Sequence, residues 1–287
     1  MQVTNFLLEK SFEYTDVKQN FDVRRDEIGE LMEIVAYCKD ESVREHLMYQ
    51  EILWDTNVQE GMTFAEWLYG NEGGNEDDKR RLLEAFSKKE IVPLSTNFPL
   101  VETKDKKLIN IALGIYPNCV SAVQEYIQKR RDILASIRDV REYEAFMQSC
   151  FINSCFANGI LSEMKHIQDF PDKTREITNA LGILNDKAIE LYKQYSNHLE
   201  EAMRILSILL QRECAPDPKH VGELVFSFTY SELLEDKKVV KEKNIECSPH
   251  LKLIHPGSNL RVYFYWCDEK IGAGQKVLVG RIGRHPY

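Results

Sequence analysis

The residues with the most chemistry in them lie in the last forty positions. Leu260-Arg-Val-Tyr-Phe-Tyr-Trp266 has the alternation of a strand, which sends Arg261, Tyr263 and Tyr265 to one face and Val262, Phe264 and Trp266 to the other. The second set suits a core, and the first presents an arginine among phenol rings. The run Lys276-Val-Leu-Val-Gly-Arg-Ile282 reads as its hairpin partner and brings Arg281 near, with Arg284, His285 and Tyr287 following. A phosphodiester reaction without a metal needs such side chains: cations stabilise charge developing on phosphorus, and His or Tyr moves protons. Lys252, Tyr263 and Tyr265 would bind the substrate, because rings between cations stack on the bases of single-stranded RNA. An ordinary half-buried strand also carries Tyr and Arg in this alternation, since both pack their stems while keeping their polar ends wet.

The same stretch offers a metal reading. Cys247-Ser-Pro-His250 has the gap of a metal hook, and His255 and Cys267 follow, but the four fit no standard zinc spacing. The expectation is no metal and no cofactor. Elsewhere the chain lacks a phosphate-binding glycine loop, a dinucleotide fingerprint, a nucleophile elbow and a His-Glu-x-x-His motif. None of His46, His166 or His198 follows an arginine at the spacing of the helical HEPN ribonucleases.

The pattern Leu260-Arg-Val-Tyr-Phe-Tyr, then Lys276-Val-Leu-Val-Gly-Arg-Ile-Gly-Arg-His-Pro-Tyr287, resembles the closing hairpin of the RelE/ParE superfamily of bacterial toxins. The likeness covers about the last thirty residues. Members similar to RelE cleave messenger RNA on the ribosome, and those similar to ParE poison DNA gyrase. The resemblance implies a catalytic set of Arg261, Arg281, Arg284, His285 and Tyr287.

The elements that must position these residues follow from charge and periodicity. Ser248 to Tyr287 holds six Lys/Arg against two acids, a balance of +4, so the rest of a chain of net charge −9 carries −13. Only the tail suits a polyanion. Ile28, Leu31, Met32 and Val35 recur as on one helix face, and Ser42-Val-Arg-Glu45 and Thr63-Phe-Ala-Glu66 read as capping boxes. Gly70 to Asp78 reads as an exposed loop leading into a helix near Lys79 to Lys88. A helix of about thirty residues is expected from Asn118, and another over Leu191–Leu210. Pro216 and Pro218 end the helical texture, and Glu223–Tyr230 begins a strand-rich one.

The expected fold is therefore α+β: an acidic helical domain over 1–214 and a small, basic, antiparallel β-rich module over 215–287. No apolar run is long enough for a membrane helix and the start lacks a leader pattern, which points to the cytoplasm. Seven unevenly spaced cysteines suggest buried thiols. The functional expectation is a bacterial or phage effector whose tail acts on RNA or the ribosome. The alternative is a non-enzymatic adaptor that binds a protein partner through its helices, with Trp54, Trp67 and Tyr69 as a candidate patch and the long helices able to pair in a homodimer.

Overall fold

The computed structural model describes residues 3–15, 21–71, 74–94, 108–217, 221–234, 237–255 and 257–285. The chain forms two compact units, Met1–Ile133 and Leu134–Tyr287. The boundary expected at 214/215 falls inside the second.

The first unit is built on a parallel sheet. Its strand β1 (Thr4–Leu7) leads into helix α1 (Arg25–Lys39), which buries Ile28, Leu31, Ile34, Val35 and Cys38. The chain then forms β2 (Leu47–Tyr49), a small hairpin of β3 (Asn57–Gln59) and β4 (Met62–Thr63), and helices α2 (Phe64–Tyr69) and α3 (Glu76–Ser87). Strands β5 (Ile91–Pro93) and β6 (Leu108–Ile111) complete a four-stranded sheet in the order β5-β2-β1-β6, every neighbouring pair parallel. The end of α2's cap is as expected: Thr63 Oγ1 accepts from Glu66 N at 3.2 Å while Thr63 N donates to Glu66 Oε2 at 2.8 Å. Ser42 caps nothing of the kind. Residues 41–43 form a turn, Arg44 takes a left-handed φ of 51°, and Glu45 is buried. Trp67 is also core, packed on Phe21 and Phe64 and donating to Asp22 Oδ1 at 2.8 Å, so only Tyr69 of the proposed aromatic patch stands well exposed.

Near the end of α4 (Val123–Ala135) the second unit begins. The single long helix expected from Asn118 is two, because Asp139 accepts from Arg141 N and Glu142 N and starts α5 (Val140–Cys150) afresh. After β7 (Ser154–Phe156) and the short α6 (Ile160–Met164), α7 (Phe170–Gln194) and α8 (Leu199–Leu210) share the apolar run expected as one helix. The rest is β8 (Cys214–Ala215), a long hairpin of β9 (Val225–Leu234) and β10 (Lys237–Glu246), β11 (His250–Lys252), β12 (Leu260–Tyr265) and β13 (Val277–Arg284). Five strands form a mixed sheet in the order β7-β13-β12-β11-β8, antiparallel except for the β13–β7 pair.

The expected fold class is thus corrected. Strands run through the whole chain, the first unit is organised by a parallel sheet, and the C-terminal sheet recruits β7 from between helices, so the molecule is mixed α/β and not helices followed by an antiparallel module. The physical reason is that a parallel strand buried on both faces is a short buried run without polar–apolar alternation, such as Asn5-Phe6-Leu7, which periodicity cannot separate from a helical turn.

Candidate functional site

Three runs named from the sequence do form strands, as β9, β12 and β13. Antiparallel register then decides which side chains meet, because directly opposed residues share a face. Tyr263 lies opposite both His250 and Arg281, and Arg261 lies opposite both Lys252 and Gly283. One face of the sheet therefore carries His250, Lys252, Arg261, Tyr263 and Arg281. His285 joins them where its amide donates to Asn259 O at 2.7 Å just past the strand end.

Alternation separates Arg284 from this group. It pairs with Leu260 in register, on the opposite face from Arg281, and is exposed. Tyr265 sits beyond a register shift between Tyr263 and Phe264, opposite Leu278 and half-exposed, and burial raises its hydroxyl pKa. Tyr287 lies outside the described residues.

The face is not open in the way the alternation suggests. Tyr263 is fully buried, in a cluster with Phe228 and Ile245 of the β9–β10 hairpin and with Leu224, Cys247 and Leu278. Gly280 makes this packing possible: a Cβ there would fall 2.4 Å from the Phe226 ring and 2.8 Å from Cys247 Sγ.

At the edge of that cluster lies a polar group organised by Asp217. Its Oδ2 is 3.3 Å from His285 Nε2 and accepts from the Tyr263 hydroxyl at 3.5 Å. Its backbone is held by Ser248, whose hydroxyl accepts from Asp217 N at 3.2 Å. The His250 ring lies 5.1 Å from Tyr263 and 6.5 Å, edge-on, from His285. Burial first, and then the Arg261 charge, push the His250 pKa down to about 4, so it is neutral near pH 7. Burial, followed by the Asp217 charge, pushes the Tyr263 hydroxyl up to about 12, which leaves it a proton donor.

The cations around this group are held differently. Lys252 pairs with Glu213, and Arg281 Nη2 lies 2.8 Å from Glu163 Oε2 on α6. Arg261, 7% exposed, gives Nη1 to the carbonyls of Ser258 and Leu260 and has no carboxylate in ion-pair contact among the described residues. Chemically, the arrangement offers a histidine oriented by a carboxylate, a phenol donor, a neutral second histidine and two arginines on one surface. Among the described residues no three His, Cys, Asp or Glu side chains converge as a metal-ligand set. Cys247 is fully buried against the hairpin, whereas His255 is exposed.

Comparison with protein-family models, curated proteins and solved structures finds no match. Sequence reasoning missed Asp217, read only as part of a proline-bounded break, and weighed His250 only as a metal ligand. The available signal was His250's place two residues before Lys252 in a short strand, which puts both on one face.

Among the described residues no helix is long and apolar enough to cross a membrane. All seven cysteines are free, four of them buried, and burial pushes the thiols of Cys38 and Cys214 up to about 12.

Proposed function

We propose that the C-terminal sheet is the working part of a RelE-like effector that acts on RNA or on RNA held by the translation machinery, cleaving it without a metal. The observation that supports this reading is the His285–Asp217 pair beside Tyr263, on the same sheet face as Arg261 and Arg281. In such a reaction the ribose 2′-hydroxyl attacks phosphorus as its proton leaves to a base. The departing 5′-oxygen takes a proton from an acid, and cations stabilise the phosphorane. A histidine whose imidazolium is held by a carboxylate suits the acid, and the arginines suit the charge.

The test is induction of the intact chain in a bacterial host beside His285→Ala and Asp217→Asn variants at equal expression, with growth and RNA integrity followed over time. Growth arrest and RNA cleavage by the wild type alone are expected. Equal RNA cleavage by wild type and both variants, or none by any of them, would count against the reading.

A further inference from the structure

The first unit carries a feature for which the C-terminal sheet gives no account. Helices α1 and α3 pack against each other and leave a cleft of about 630 Å³, lined by charged side chains and one glycine. Asp78, in the first turn of α3, is the one buried residue of that lining, at 4% exposed. Among the described residues its carboxylate accepts no hydrogen bond and makes no ion pair. Arg25 and Arg81 line the same cleft, but neither is in ion-pair contact with it. Lys79, next in sequence, turns elsewhere, over the Trp67 ring and onto the Gly70 carbonyl. The cap of α3 is Asn75, whose Oδ1 accepts from Asp77 N at 2.8 Å, so Asp78 is not needed for that. The dipole of the first turn favours an acid there, but it returns only a fraction of what an unpaired carboxylate loses on leaving water.

The facing wall belongs to α1. Asp26, Gly29, Glu30 and Glu33 fall at helical spacing on one side of it. A Cβ built on Gly29 would meet nothing within 4 Å, so the middle of this wall opens on empty space. A glycine inside a helix weakens it relative to alanine, and no packing asks for one here. The charges of the cleft do not balance: Asp26, Glu30, Glu33, Asp77 and Asp78 stand against Arg25, Arg80 and Arg81, which leaves two negative charges. Arg80 is already paired with Asp77 at 2.9 Å, and Glu30 Oε2 also accepts from Val123 N at 3.1 Å.

We propose that this cleft binds an aliphatic diamine, with one ammonium on Asp78, the methylene chain along the bare backbone at Gly29 and the second ammonium among the acids of α1. A dication matches the two uncompensated charges, an ammonium supplies the donors that Asp78 lacks, and methylenes need no polar partner from the glycine strip. A divalent metal ion fits less well, because among the described residues no three His, Cys, Asp or Glu side chains converge as a ligand set. All of these residues lie in the first unit, so the site does not depend on the RNA chemistry proposed for the second.

The experiment titrates the full chain with 1,4-diaminobutane near pH 7 and at constant ionic strength by calorimetry, with 1-aminobutane and magnesium chloride as comparison ligands. The variants are Asp78→Asn, which keeps the shape and removes the charge, Gly29→Met, which fills the strip without changing charge, and Glu84→Gln, which removes an exposed acid of α3 outside the cleft, as the control. Wild type and Glu84→Gln should bind the diamine alike, and the other two should bind it about tenfold more weakly or worse. Unfolding temperatures of those two without ligand should not fall, since one loses an unpaired buried charge and the other a helical glycine. If Asp78→Asn does not fold, Gly29→Met alone decides. Equal binding by all four proteins, no binding by the wild type, binding of 1-aminobutane as tight as that of the diamine, or binding of magnesium alone would each overturn the proposal.

Discussion

Two buried arginines, one in each unit, are held in opposite ways. In the first unit Arg130, fully buried, meets the Glu45 carboxylate, which also accepts from Asn5 Nδ2 at 2.9 Å; Tyr126 donates to Asn5 Oδ1 at 2.8 Å and lies 3.3 Å from Cys38 Sγ. Burial is the main reason the Tyr126 hydroxyl pKa is pushed up, and the network ties β1, α1, α4 and the segment before β2 together. In the second unit Arg261 is nearly as buried, but among the described residues it donates to two backbone carbonyls and has no carboxylate in ion-pair contact, the Glu213 and Asp217 charges acting on it from farther away. A buried charge in direct contact with its counter-charge serves the fold, whereas one held by dipoles and by more distant charges is bound less tightly into the core.

The largest effect that sharpens the contrast comes from replacing each arginine by methionine. Arg130→Met leaves the Glu45 carboxylate buried without its partner and should cost about 3–5 kcal/mol in urea unfolding. Arg261→Met removes a cation that has no carboxylate in ion-pair contact among the described residues, and should leave stability within about 1 kcal/mol. Equal destabilisation by the two would break the comparison.

His250 gives the next effect. Its pKa is lowered on folding, so the unfolded state binds the extra proton first as pH falls. The stability this histidine contributes is full above pH 6.5 and is lost progressively between 6.5 and about 4. The facing charges are Arg261, Asp217 and Lys252, with Tyr263 and His285 in ring contact. The wild type should lose about 2–3 kcal/mol more than His250→Gln between pH 7 and pH 4, read as the difference in unfolding midpoints.

Gly280→Ala comes third. The new methyl collides with Phe226 and Cys247, so a loss of about 1–3 kcal/mol is expected, with faster hydrogen exchange in β9 and β10. Thr63→Ala is smallest: it removes one half of the α2 cap at the cost of about 1 kcal/mol and leaves RNA cleavage untouched.

How far the sequence foretold these regions also differs between them. Alternation in Leu260–Trp266 and the apolar run of Lys276–Ile282 were enough to read β12 and β13, and from them the shared placement of Arg261, Tyr263 and Arg281. The Thr63 cap and the amphipathic α1 were legible because capping and helical spacing are local chemistry. The parallel sheet was not, since Leu47–Tyr49 and Ile91–Pro93 are three residues each and their pairing is set by distant neighbours. Strand β10 hid behind six Lys and Glu among its ten residues, which break any polar–apolar alternation. Asp217 could not be tied to His285 from sequence, because nearly seventy residues separate them and only the five-stranded sheet brings them to 3.3 Å. Arg284 and His285 look like one unit in sequence, yet strand alternation sends Arg284 to the other face.

The most direct test of the central claim is cleavage of RNA, free and ribosome-bound, by the purified chain and by His285→Ala and Asp217→Asn. General acid–base catalysis is worth roughly 10²–10⁴ in rate. The account predicts cleavage by the wild type, a loss of about 10² or more in His285→Ala, and a smaller but clear loss in Asp217→Asn, all three remaining folded. Wild-type rates in both variants, or no cleavage of either form of RNA by the wild type, would contradict it.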